Sequence, residues 1–207
     1  MKEMNKEYRN IGAVEYRADE ETRHVSGYAV VFDSQSEYMG MYEVIQRGAI
    51  TEDTLKQSDV FACFDHDMKR VLARCNHGEG SLTLTLDERG LRYDFDAPET
   101  ELGNELLEYL KRGDISKSSF GFCVNKEDPE SQSFEMRGGI LYRTIKKIDH
   151  LFDVSPVWQP AYSATEVQSQ RDAEQMKEEA IEQIKEAVSK ELDAKMQEVE
   201  DLAGEDK

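Results

Sequence analysis

Ser81-Leu82-Thr83-Leu84-Thr85-Leu86 alternates polar and apolar residues without a break. A side-chain period of two belongs to a strand with one face buried, not to a helix. Asp87-Glu88-Arg89-Gly90 follows as a turn, and Leu91-Arg92-Tyr93-Asp94-Phe95 alternates again. The pattern predicts a β-hairpin with a loop of a few residues. Further strands are expected at Arg23–Phe32, at the apolar run Val60–Phe64, and at Phe120–Val124, Ile140–Ile148 and Leu151–Val157. Two helices interrupt them, a short one near Thr51–Gln57 and a longer one from about Thr100 to Arg112. In the longer one Thr100 is the N-cap, Leu102, Leu106, Leu107 and Leu110 share a face, and Gly113 stands just past the end. Many short strands with few helices predict a mainly β, α+β fold: a closed or nearly closed antiparallel barrel with helices packed outside.

The composition shifts near Ala164. Residues 164–207 carry 14 acidic and 6 basic residues out of 44 and 26 in the whole chain, so nearly half of the net −18 sits in the last fifth. That segment has no proline and no aromatic residue, and Ile181, Ile184, Val188, Leu192, Met196, Val199 and Leu202 recur at steps of three or four. The division expected is therefore a folded domain over 1–163 and an acidic amphipathic helical tail over 164–207. Such a narrow stripe suits a coiled-coil strand or a partner-docking helix, or equally a solvated helix.

Charge and hydropathy exclude several classes. An acidic chain lacks the basic clusters that phosphate binding needs, so nucleic acid is not an expected ligand. No run of about 18 apolar residues occurs, so no membrane span is expected. Nor does an apolar stretch follow Met1–Lys6, so no secretory signal is expected. Cys63, Cys75 and Cys123 form no disulfide framework, which fits a reducing, cytosolic compartment. No Gly-rich phosphate loop, dinucleotide fingerprint or His-Glu-x-x-His motif calls for a cofactor.

Three segments could carry chemistry. His66 lies in Phe64-Asp65-His66-Asp67, after an apolar strand and before an expected turn at Lys69-Arg70, a position suited to a general base. Ser119 precedes Phe120-Gly121-Phe122; period-two alternation puts the phenylalanines on the core face and Ser119, Gly121 and Cys123 on the other. A serine hydroxyl needs a base to become a nucleophile, and His66 could supply it. In Asp149-His150-Leu151-Phe152-Asp153-Val154-Ser155, the residues Asp149, Leu151, Asp153 and Ser155 alternate onto one face, with His150 on the other. A carboxylate in an apolar strand needs a partner, and an imidazolium would serve. A zinc site from Cys63, His66, Cys75 and His77 is a competing reading, but Cys-x-His is not a structural-zinc spacing.

In this order the segments resemble the tailed-bacteriophage prohead proteases, the serine proteases of capsid maturation. The resemblance covers about residues 24–163. It rests on Ser26-Gly27-Tyr28-Ala29-Val30-Val31-Phe32, on Tyr42-Glu43-Val44-Ile45 with Arg47-Gly48-Ala49-Ile50, and on His66-Asp67. It continues through Gly113-Asp114-Ile115 with Ser119-Phe120-Gly121-Phe122, and Asp153-Val154-Ser155-Pro156-Val157 with Pro160-Ala161-Tyr162.

The resemblance implies a barrel similar to that of herpesvirus assemblins, bearing a Ser-His-acid triad. Ser119 would be the nucleophile, His66 the base and Asp153 the third member, with His150 the competitor for that role. The family more often has Glu before Val-Ser, so the shorter Asp153 implies a longer or shifted contact. The family also often has Gly near Arg74. The oxyanion hole would come from backbone N–H groups near Ser119. The implied activity is endoproteolysis of the capsid protein's scaffolding segment and of the chain itself, inside an immature shell in the host cytoplasm. A second copy of the chain, as a homo-oligomer, is the other partner. The alternative is a noncatalytic assembly protein that docks through its acidic helix.

Overall fold

The structure, a computed structural model, describes residues 6–11, 17–19, 22–158, 177–186, 188–190 and 192–197. The strands are β1 (Glu7–Ile11), β2 (Arg17–Asp19), β3 (His24–Val31), β4 (Tyr42–Ile45), β5 (Asp59–Phe64), β6 (Asp67–Asn76) and β7 (Glu79–Gly80). They continue with β8 (Thr83–Leu86), β9 (Gly90–Asp96), β10 (Ile115–Cys123), β11 (Gln132–Arg137), β12 (Ile140–Ile145) and β13 (His150–Trp158). Helix α1 (Glu52–Gln57) precedes β5, and α2 (Glu101–Arg112) lies between β9 and β10.

The strands form three sheets, ordered β1-β10-β13-β5-β6-β7, β11-β12-β4 and β2-β3-β9-β8. The fold is mainly β with few helices, but among the described residues the sheets do not close into a barrel. The six-stranded sheet ends at β1 on one side and at the two-residue β7 on the other, and these edges are not paired with each other. The sheets share one apolar core instead, which includes Val25, Leu91, Tyr93, Phe120, Phe122 and Val154. Tyr93 of β9 crosses between sheets, its hydroxyl 2.8 Å from Ser118 Oγ of β10. Its ring fits because residue 27 is glycine: a Cβ there would lie 2.8 Å from Tyr93 Oη.

Local chemistry fixes the elements. Asp87 Oδ1 accepts from the N–H groups of Arg89 and Gly90, which closes the β8–β9 hairpin. Thr100 Oγ1 accepts from Gly103 N to start α2, and Gly113 ends it in a left-handed conformation, φ 77°. Lys69 and Arg70, expected in a turn, lie within β6, because the chain has already reversed at Asp65-His66.

The tail residues described, 177–186, 188–190 and 192–197, are helical. The first of them do not wait for a partner helix, as the apolar stripe suggested. Ala180 is buried against Met41 and Leu141, with Phe134 and Ile184 packed beside them. Lys126 Nζ meets Glu179 Oε2 at 3.0 Å. Val188, Leu192 and Met196 stay exposed. Val199 and Leu202 lie outside the described residues, as do Pro160, Ala161 and Tyr162. Among the described residues no helix is long and apolar enough to cross a membrane.

One buried cluster ties β1 to the three-stranded sheet. Arg143 of β12, 1% exposed, donates to Glu7 Oε2 at 2.5 Å and to Glu43 Oε2 at 2.9 Å. Arg9 donates to both Glu43 oxygens, at 2.7 and 2.9 Å, and to Glu7 Oε2 at 2.6 Å. The two carboxylates and two guanidiniums cancel in charge, which lets all four leave water together. Burial pushes the Glu7 carboxyl up, but Arg143 and Arg9 outweigh it and hold it below its ordinary value.

Arg143→Met leaves two carboxylates facing Arg9 alone. It should cost about 3–5 kcal/mol, read from the urea midpoint at constant m-value. A loss under about 1 kcal/mol would mean that the cluster behaves as a surface pair. Because the Glu7 value is depressed on folding, its contribution is present above the ordinary glutamate range of about 4.3 and is lost as pH falls through the folded value. The stability gap between wild type and Glu7→Gln should therefore shrink as the pH is lowered from about 5 towards 3 in thermal unfolding.

Candidate active site

Antiparallel register decides which side chains can meet. On β10 and β13, Ser119 pairs with Ser155, Phe120 with Val154, and Gly121 with Asp153. Directly paired residues share a face, so Ser119, Gly121, Ser155 and Asp153 lie together and Phe120 and Val154 point into the core. Beyond Gly121 the register shifts, and Phe122 pairs with Leu151. Phe152 is the extra residue of that bulge. Leu151 therefore joins the phenylalanine face rather than the Asp153 face expected from plain alternation, and His150, paired with Cys123, moves to the face of Ser119.

His66 arrives from the β5–β6 hairpin. Phe64 pairs with Asp67, so Asp65 and His66 are the whole two-residue loop. Both have positive φ, 54° and 60°, as in a type I′ turn. Asp and His are among the few residues that tolerate this region. Asp65 N donates to Pro156 O at 3.0 Å, which docks the turn on β13. The imidazole then spans the two strands. Its Nε2 lies 2.5 Å from Ser119 Oγ and its Nδ1 lies 2.9 Å from Asp153 Oδ1. Ser119 and Asp153 are buried, at 0% and 2% exposure. The hairpin docking brings the turn close enough for an aspartate to reach, so the contact is not lengthened by the missing methylene.

The other candidates go elsewhere. Ser118 faces Tyr93 on the core side. The His150 ring bonds the Asp149 carboxylate at 3.1 Å. His24 sits between Asp94 and Asp96, and His77 Nδ1 is 3.0 Å from Lys56 O. Cys63, His66, Cys75 and His77 do not gather as a zinc set, since His66 and His77 are turned to these other partners. Among the described residues, Cys123, Asp149 and His150 form the cluster that could hold a metal ion, with ligand atoms within 4.8 Å of one another. Arg74 forks onto Asp59, with both contacts at 2.7 Å.

Three neighbours surround the triad; the sequence singles out Cys63 and Ser155 but not Tyr8. Cys63 is buried, and desolvation, with the charges of Asp153 and Asp67, pushes its thiol up to about 12, so it stays a neutral thiol. Ser155 Oγ is buried and has no hydrogen-bond partner among the described residues. Tyr8 of β1 pairs with Gly121 and sets its ring 4.6 Å from the His66 imidazole, at 66° between planes. Glu7-Tyr8-Arg9-Asn10-Ile11 has too few apolar residues to signal a strand, and only its alternation of charge around an aromatic could have hinted at one.

A serine, an imidazole and a carboxylate joined in series are the chemical requirement of acyl transfer: a nucleophile, a base and a group that orients the base. No curated protein and no solved structure matches the chain. The family model of the caudovirus prohead serine protease matches residues 12–179, which include every residue of this constellation. The chain belongs to that family, the serine proteases of phage capsid maturation, which act in the immature capsid within the host cell.

Proposed function

We propose that this protein is the endopeptidase that cuts the scaffolding segment of its capsid protein, and itself, by a Ser119-His66-Asp153 acyl-enzyme mechanism. The observation that carries the reading is the single imidazole bonded at one nitrogen to Ser119 and at the other to Asp153. With Nδ1–H donated to Asp153, Nε2 is left to accept the Ser119 proton as Oγ attacks the scissile carbonyl carbon. The imidazolium so formed is stabilised by the Asp153 carboxylate, which keeps its own charge throughout. His66 then returns the proton to the leaving amine, and water repeats the sequence to release the acyl group. Burial of Ser119 and Asp153 strengthens these interactions by excluding water.

The acidic helix is assigned to delivery. Its exposed Val188, Leu192 and Met196 continue a stripe whose start already rests on the three-stranded sheet. With 14 acids against 6 bases in residues 164–207, a more basic partner helix fits it better than a second copy.

Co-expression with the matching capsid protein and intact-mass measurement of both tests the activity. Ser119→Ala and His66→Ala should each abolish processing with the fold retained, and the double variant should be no worse than either. Asp153→Asn should retain a slow residual rate, because it loses the tautomer and not the nucleophile. Processing that survives Ser119→Ala would mean that another residue is the nucleophile, and a wild-type chain that processes nothing would leave the noncatalytic assembly reading in its place. A chain ending after residue 186 keeps the Ala180 contact. It should stay folded by circular dichroism and cleave in solution, yet fail to co-purify with immature shells; packaging at the full level would sink the delivery role.

A further inference from the structure

The face of β10 that carries Ser119 meets a large side chain outside the triad. Tyr8 sits across from Gly121 on β1, with its ring against the strand and 47% of its surface exposed. A Cβ at residue 121 would lie 2.8 Å from Tyr8 Cε1 and 3.4 Å from Asp153 Cγ. The ring can therefore lie on this strand only over a glycine, the arrangement in which an aromatic covers a cross-strand glycine. Its other neighbour is the His66 imidazole, met at an angle of 66°.

We propose that Tyr8 is a positioning residue of the protease: its ring walls in the His66 imidazole and keeps it aimed at both Ser119 and Asp153. The inference rests on the triad reading above. His66 needs such a wall because it projects from the tip of a two-residue turn, with 24% of its side chain exposed. Rotation of the ring into solvent would lose both hydrogen bonds. Tyr8 can act as a wall although β1 is an edge strand, because its two neighbours are fixed. Glu7 and Arg9 point to the opposite face and are held there by Arg143 and Glu43. The strand that carries the ring is thus held by the buried charge cluster, and the ring itself lies over the bare backbone of Gly121. Burial and the nearby Asp153 charge also push the phenol up, so the wall stays neutral.

The test uses the full chain and a fluorophosphonate, so no natural substrate is needed. Ser119 Oγ bonds phosphorus, fluoride leaves, and His66 takes the hydroxyl proton; the adduct is followed by intact mass. Tyr8→Ala should slow labelling about 10²-fold. Tyr8→Phe, which keeps the ring, should restore it. Gly121→Ala, which retains Tyr8 but pushes its ring aside, should slow labelling to a similar degree. Tyr8→Ala with Gly121→Ala should be no slower than the slower single variant. The far-downfield proton resonance of His66 Nδ1–H should be seen in wild type and Tyr8→Phe, and be lost in Tyr8→Ala and Gly121→Ala. That signal reports the imidazole's hydrogen bond and not the fold, which circular dichroism checks separately. Should Tyr8→Ala not fold, Gly121→Ala carries the decision alone. Labelling at the wild-type rate, or a retained Nδ1–H resonance, in the variant with the displaced ring overturns the role of Tyr8. Ser119→Ala that still labels overturns the triad reading itself, so the two failures are told apart.

Discussion

The pairing of β10 with β13 is the constraint on which the site depends. It places Ser119 and Gly121 beside Ser155 and Asp153 on one face while it sends Phe120 and Val154 into the core. One strand pair therefore builds both the apolar core and the polar site, and a register slip of one residue would exchange them. The bulge at Phe152 lets β13 satisfy both demands. It returns Leu151 to the core side after Asp153 has been spent on the site. The Asp65-His66 turn then needs only a short reach, since Asp65 is already bonded to the backbone of β13.

The charge cluster of Glu7, Arg9, Glu43 and Arg143 works on the opposite face of the same sheet. Its members come from β1, β4 and β12, so it joins the six-stranded sheet to the three-stranded one. Arg9 also lies over the Phe122 ring, 5.5 Å from its centroid, which links the cluster to the core-facing side of the nucleophile strand. Alternate residues of β10 and β13 thus build the core and the site, while the cluster joins the core-facing side of that sheet through β1.

Much of this was legible in the sequence where the side-chain period was clean. The β8–β9 hairpin, the Thr100 cap and the Gly113 stop stand where alternation and capping chemistry put them. Ser119, His66 and Asp153 were named from motif order, but their meeting could not be read from spacing, since it depends on a hairpin docking between strands distant in the chain. Closure of the barrel was misjudged because alternation shows that strands exist and is silent on which edges pair. The face of Leu151 and His150 was misplaced because a bulge leaves no mark in a period-two pattern. β1 was missed because its buried residue Glu7 pairs with a charge, and β6 because bulges break the alternation of its buried Leu72, Ala73 and Cys75. The start of the tail docks on a sheet through Ala180, a residue too small to register in an apolar stripe.

The left-handed backbone of His66 sets the fold against the chemistry. A non-glycine residue held at positive φ carries a strain of about 1–3 kcal/mol, and Asp65 beside it adds its own. The sequence that would hold this hairpin best is the ordinary Asn-Gly of a type I′ turn, which has no imidazole. Any selection for thermal stability alone would therefore drift towards an inert protein at this loop. Stabilised forms that must stay active have to be sought elsewhere in the molecule, with residues 65 and 66 held fixed.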